Sequence, residues 1–273
     1  MDGVTASKQP IRSLRQRLIG GEVARTILSV WSWFTFGFGM LLWLPMVAIV
    51  RLVTPFDKGH YWAGYLFRKL PVVHQHINPL WTFRVSGKIP TDPRRPYIVV
   101  SNHESFVDIL LISHLPFEMK WLSKAEMFKI PVVGWLMSLA GDIKLTRGEI
   151  SSATDAMKQC ADRLENKVSV MIFPEGTRSK TGELGKFKNG AFRLAIETGV
   201  PILPVAVSGC HTALRPKDWR LGYSTAEVRV LDPIEVEGMT IKDIYLLRDK
   251  ARDAIAAEID VLRAELAGRS TRG

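Results

Sequence analysis

Cysteine is scarce: Cys160 and Cys210 are the only two in 273 residues, with no Cys-x-x-Cys pair and no His/Cys cluster at metal-ligand spacing. That excludes a disulfide framework and a structural zinc site, and it fits a reducing, cytosol-facing location. A Gly-x-Ser-x-Gly elbow is also missing, because Ser208 stands in Ala206-Val207-Ser208-Gly209-Cys210, without the first glycine. Cys210 beside His211 reads as a packed thiol after a strand, since neighbours in sequence rarely point at one another. There is no internal repeat and no low-complexity segment. Acidic residues are in deficit, 27 against 37 Lys plus Arg, and the net charge of +10 favours anionic lipid, phosphorylated metabolites or nucleic acid as partners. Nucleic acid fits poorly, because the aromatics concentrate in one apolar stretch rather than alternating with Lys and Arg.

That stretch runs from Ile27 to Val50, 24 residues without a charge between Arg25 and Arg51. It is long enough to cross a bilayer core. A cleaved signal peptide fits badly: the run is too long, no small-x-small site follows it, and Trp31, Trp33 and Trp43 are residues of the membrane interface. Basic residues flank both sides, Lys8, Arg12, Arg15, Arg17 and Arg25 before and Arg51, Lys58, Arg68 and Lys69 after, so the positive-inside rule resists moving either flank across. Two arrangements stay open. One is a single span; the other is a re-entrant or hairpin anchor bent at Gly37, Gly39 and Pro45, with His60 to Leu80 lying in the interface. The second arrangement predicts the N-terminus and the domain that follows the anchor on one, cytoplasmic, side of the inner membrane.

From Trp81 onward short β-branched runs alternate with helical stretches. Thr82–Val85, Tyr97–Ser101, Lys120–Ser123, Asp142–Leu145, Val168–Phe173, Ile202–Val207 and Glu227–Leu231 read as strands; Ser105–His114, Pro131–Ala140, Ser151–Asn166 and Lys188–Thr198 read as helices. The alternation predicts an α/β fold, a largely parallel sheet flanked by helices and preceded by an N-terminal hydrophobic helical membrane anchor. Apolar residues at Ile244, Leu247, Ala251, Ile255, Ile259, Leu262 and Leu266 predict an amphipathic helix packed on the domain. The division expected is a basic arm over 1–25, the anchor and interfacial helix over 26–79, the α/β domain over 80–238 and the C-terminal helix over 239–273.

Two motifs carry chemistry. In Ser101-Asn102-His103-Glu104-Ser105-Phe106-Val107-Asp108, a strand ends and Ser105 with Asp108 has the form of a capping box, predicting a helix from Ser105. His103 then lies in the turn at the carboxyl end of a strand, where open α/β sheets bind ligands. Asp108, leaning toward the helix N-terminus, can hold the imidazole. Such a pair can take a proton from a hydroxyl. In Phe173-Pro174-Glu175-Gly176-Thr177-Arg178, proline stops a strand, glycine allows backbone amides near an anion, and Arg178 offers a planar fork for phosphate, with Lys180, Lys186 and Lys188 nearby.

Taken together, these motifs make the chain resemble the glycerolipid acyltransferase family, in particular the lysophosphatidic acid acyltransferases. The resemblance runs over ordered blocks: Asn102 to Asp108; Lys124 to Pro131 with Gly134 and Arg147; Phe173 to Ser179; and Val200-Pro201-Ile202-Leu203-Pro204-Val205, within about 40% of the chain. It implies that His103 is the general base and Asp108 its orienting partner. It further implies that Glu175, Gly176, Thr177 and Arg178 bind the acceptor's glycerol phosphate, with Lys124 and Arg147 as further phosphate ligands, and that Val200–Val205 shapes the site near the donor. The implied reaction is direct transfer from acyl-coenzyme A or acyl carrier protein, as co-substrate, to lysophosphatidic acid at a membrane, within phospholipid biosynthesis and without a metal or cofactor. Other lyso-lipids, glycerol 3-phosphate, and a non-catalytic binder of anionic lipid are the alternatives. One departure is Glu104, where the family resemblance leads one to expect Gln or Arg after the histidine.

Overall fold

The computed structural model describes residues 21–179, 181–215 and 217–270; the first 20 residues of the basic arm and Lys180 lie outside the described residues. Seven strands form one sheet: β1 (Trp81–Gly87), β2 (Ile98–Ser101), β3 (Met119–Lys124), β4 (Ile143–Leu145), β5 (Ser169–Ile172), β6 (Ile202–Ser208) and β7 (Ser224–Val230), in the order β1-β7-β6-β2-β5-β3-β4. Every neighbouring pair is parallel except β6 with β7. The fold is therefore α/β with a largely parallel sheet, and the carboxyl ends of β6, β2, β5, β3 and β4 share one edge.

Side-chain alternation along the strands builds a core on each face. Val99, Leu203, Val205 and Val207 pack on one side with Leu110, Leu111 and Ile112 of the short helix Val107–Ile112. Ile98, Val100, Ile202 and Ala206 pack on the other with the helices Ile150–Glu165, Gly190–Thr198 and Ile244–Ser270. In the last of these, Leu247, Ala251, Ile255 and Leu262 are fully buried at the predicted spacing. Each such aliphatic side chain of Leu or Ile size contributes roughly 1.5–3 kcal/mol.

The apolar segment forms α1 (Glu22–Val53), followed by α2 (Tyr61–Ile77). The two are antiparallel: Trp31 Nε1 donates to the Ile77 carbonyl at 3.3 Å, Trp43 Nε1 to the Leu66 carbonyl at 2.9 Å, and Arg51 meets His60 at 3.4 Å. The reversal falls at residues 54–60, not at Gly37, Gly39 or Pro45, through which α1 runs unbroken. Gly39 serves packing instead, because a Cβ there would come within 2.9 Å of Leu70 Cδ1. Nor does α2 lie free in an interface: Tyr61, Ala63, Gly64, Arg68, Leu70, Pro71 and His74 are buried.

The hairpin is fastened to the sheet domain at both ends, to the loop before β7 and to β3. Arg25 reaches Asp218 at 2.9 Å and the carbonyls of Arg220 and Leu221, while Lys120 Nζ donates to the His60 carbonyl at 2.6 Å. Its outward face, with Val23, Ile27, Phe34, Phe38, Leu41, Ile49 and Leu52, is exposed and apolar.

Candidate functional site

The carboxyl edge of the sheet assembles the site. Asn102, just past β2, donates to the Val207 carbonyl and accepts from the Val207 amide, both at 2.8 Å, so the turn after β2 is stapled to β6. The next residue, His103, has its Nδ1 2.8 Å from Asp108 Oδ2. That oxygen also accepts the amides of Glu104 at 2.7 Å and Ser105 at 2.9 Å. These bonds keep Glu104 to Phe106 in a turn, so α3 (Val107–Ile112) starts two residues later than the capping pattern predicts. Phe173 stacks on the imidazole with centroids 3.9 Å apart and planes within 11°. With Nδ1 engaged and one ring face covered, Nε2 is the nitrogen left to exchange a proton.

The turn after β5 joins from the other side. Glu175 is half-buried; its Oε1 accepts the His103 amide and its Oε2 the Gly185 amide, both at 2.9 Å. Burial raises its pKa while those two amides oppose the rise. Gly176 adopts φ +72° and lies under Lys188, whose Nζ would be 2.8 Å from a Cβ at that position. Thr177 and Arg178 are exposed, and the Ser179 amide donates to the His103 carbonyl at 2.7 Å. One hydrogen bond thus separates the residue after Arg178 from the histidine backbone. The imidazole-bearing turn and the turn that carries Arg178 are joined backbone to backbone.

The geometry corrects the expectation for Glu175. Both of its oxygens are engaged by backbone amides, so it holds the two turns together, and a carboxylate would in any case repel a phosphate. Lys124 ends β3, exposed and paired with Glu126 at 3.1 Å; Arg147 follows β4, exposed and without a partner among the described residues. They stand at the same edge one and two strands beyond β5, apart from the His103–Glu175 contacts. Cys210 is wholly buried, and burial, with Asp108 and Glu104 adding to it, pushes its thiol well above the ordinary range. A thiolate nucleophile is disfavoured there.

The Acyltransferase family profile matches residues 82–208, the span from β1 to the end of β6. A chloroplastic 1-acyl-sn-glycerol-3-phosphate acyltransferase of Brassica napus is 38% identical over 80% of this chain and 64% of its own length. The alpha form of that enzyme from Homo sapiens is 32% identical over 78% of this chain and 76% of its own length. This chain belongs to the 1-acyl-sn-glycerol-3-phosphate acyltransferase family. It spans 64% and 58% of the length of the relatives from Brassica napus and Arabidopsis thaliana. The crystal structure of the 1-acyl-sn-glycerophosphate acyltransferase PlsC from Thermotoga maritima has the same fold, with a TM-score of 0.74, 24% identity, and coverage of 89% of this chain and 98% of that one.

Several groups in this family member escaped the sequence reading. Phe173 and Asn102 stand inside the motif blocks, but stacking and stapling are tertiary facts with no spacing signal. Glu104, marked only as a departure, has a side chain 5% exposed, and its Oε2 is buried with no hydrogen-bond partner. Burial first, and then the Asp108 carboxylate, push it up to about 8 against the pull of Arg263, which lies 3.8 Å away.

Proposed function

We propose that this chain transfers a fatty acyl group from an acyl thioester to the free hydroxyl of 1-acyl-glycerol 3-phosphate, forming phosphatidic acid for phospholipid biosynthesis. The observation that carries the reading is the His103–Asp108 bond, 2.8 Å long, set beside a turn that ends in Arg178 and is tied to the same histidine by the Ser179 amide. Asp108 holds the ring through Nδ1, so Nε2 takes the proton of the acceptor hydroxyl. The hydroxyl oxygen attacks the thioester carbonyl, a tetrahedral oxyanion forms, and its collapse expels the thiolate, which recovers the proton from the imidazolium. The acceptor's phosphate is held by Gly176, Thr177 and Arg178, with Lys124 and Arg147 farther along the edge for the charge that extends beyond it. The donor is acyl-coenzyme A or acyl carrier protein.

Membrane attachment comes from α1 and α2. At about 1.5 Å per residue the 32 residues of α1 exceed a bilayer core, yet both ends of the hairpin are fastened to the sheet domain. That supports an anchor lying in one leaflet with its apolar face in lipid and the N-terminus on the catalytic, cytoplasmic, side. Residues 1–20 accessible to a probe only from the opposite side would reject it.

The test of the chemistry uses lyso-lipid panels with both thioester donors and mass measurement of the products. His103→Ala is expected to lose nearly all turnover while keeping its affinity for lysophosphatidic acid; a protein that only binds anionic lipid would be indifferent in both. Arg178→Ala is expected to weaken use of phosphomonoester acceptors by about 10- to 100-fold. Equal activity of the unmutated protein on acceptors without phosphate would remove the anion clamp from the mechanism.

A further inference from the structure

The C-terminal helix (Ile244–Ser270), beyond the region matched by the family profile, reaches the carboxyl edge of the sheet through arginines. Arg252 donates from Nε to the Gly185 carbonyl and from a terminal nitrogen to the Leu184 carbonyl, both at 3.2 Å. Arg263 donates to the Gly182 carbonyl, and Arg248 reaches Asn189 Oδ1 at 3.1 Å. Gly185 is therefore gripped from two sides. Its carbonyl is held by the C-terminal helix, and its amide donates to Glu175 Oε2 at 2.9 Å. The other oxygen of Glu175 accepts the His103 amide at 2.9 Å, and the Ser179 amide donates to the His103 carbonyl at 2.7 Å. The position allows no larger residue without a shift, because a Cβ on Gly185 would lie 2.8 Å from Glu175 Oε2.

We infer that Arg252, assisted by Arg263, is a positioning residue: by fixing the loop 182–185 it sets Glu175, and through Glu175 the backbone of His103. The inference rests on His103 being the base. A fork that bonds two successive carbonyls fixes a loop in angle as well as distance, which a lysine cannot do. A histidine displaced by a fraction of an ångström loses its alignment with the hydroxyl, and rates fall steeply with such misplacement.

Loosening the loop also has a signature that mere unfolding lacks. The titratable and charged groups facing the Glu175 carboxylate are His103 and Glu104 from the turn after β2 and Asp108 from the first turn of α3, with Lys188 above Gly176. Removing the Gly185 amide from Glu175 takes away a donor to its charged form, so its proton is held to higher pH.

The experiment uses the full chain in lipid vesicles, comparing Arg252→Met, Arg252→Lys, Gly185→Ala and His103→Ala. Expected for Arg252→Met is a fall in kcat of about 10-fold or more with KM for lysophosphatidic acid within about twofold. The acid limb of the pH–kcat profile should move to higher pH and thermal unfolding should stay within a few degrees of the parent. Arg252→Lys should recover part of the loss, and Gly185→Ala should reproduce the pH shift without touching the helix. An unchanged kcat in Arg252→Met, or a loss of kcat that follows thermal stability with the acid limb unmoved, overturns the inference. An active His103→Ala would instead bring down the catalytic reading, whatever Arg252→Met does.

Discussion

Asp108 presents one oxygen, Oδ2, to three donors at once, the Nδ1 of His103 and the amides of Glu104 and Ser105, and its side chain has no exposed surface while the imidazole keeps 14% of its own. The carboxylate therefore fixes the ring and the peptide that carries it in one stroke. Asp108→Asn keeps an acceptor at this point but removes the charge that stabilises the imidazolium. The expected outcome is a kcat lower by about 10²- to 10⁴-fold with lyso-lipid affinity retained, measured by steady-state transfer and by direct binding. A kcat within about tenfold of the parent would show that the charge of Asp108 does not serve the proton transfer.

Glu104 gives a pH prediction. Its proton is held up to about 8 in the folded chain, against about 4.3 for a free glutamate. Because the folded state binds this proton more tightly, the contribution of Glu104 to stability is fully present below the unfolded value and is lost as pH rises toward 8. Glu104→Gln removes the ionisation. Relative to the parent it should gain at least about 1 kcal/mol, or roughly 2–4 °C in Tm, at pH 9, and little at pH 4.5. Parallel Tm curves for the two proteins from pH 4.5 to 9 would mean that Glu104 is already ionised at the lower pH.

The joint between the hairpin and the sheet rests on buried charge. Glu118 and Lys120 of the β3 region pair at 2.8 Å with no exposed side-chain surface, and Arg68 of α2 pairs with Asp142, which also takes the Trp121 amide at 3.0 Å. Gly64 of α2 lets this group close, since a Cβ there would overlap both Glu118 Oε1 and Lys120 Nζ. Gly64→Ala should cost about 3–5 kcal/mol, as breaking a buried ion pair does, and should open the connection at residues 54–60 to proteolysis. Unchanged melting and cleavage would place the hairpin's attachment elsewhere.

Much of this is legible in the sequence. The strand and helix order follows from short β-branched runs and from apolar residues at helical spacing, because the central strands β2, β5 and β6 are buried along their whole length and the helices that cover them bury one stripe. His103 and Asp108 were legible as a pair because a side chain in the first turn of a helix leans toward its N-terminus and can reach back to a residue in the preceding turn. Arg178 could be named but not placed, since its nearness to His103 runs through the Ser179 amide and a pairing of β2 with β5 some 70 residues apart.

What the chain alone determined was residue chemistry and local form: a histidine with a carboxylate in reach, a glycine turn ending in Arg178, an apolar helix and an alternating α/β layer, all of them set by residue type at short spacing. What the tertiary structure decided was how these converge. The inward use of Glu175, the reversal of the anchor after residue 53 rather than at its glycines, and the grip of Arg252 on Gly185 all depend on which surfaces meet across the fold. Such meetings follow from packing and hydrogen-bond satisfaction summed over distant segments, and no local pattern records them.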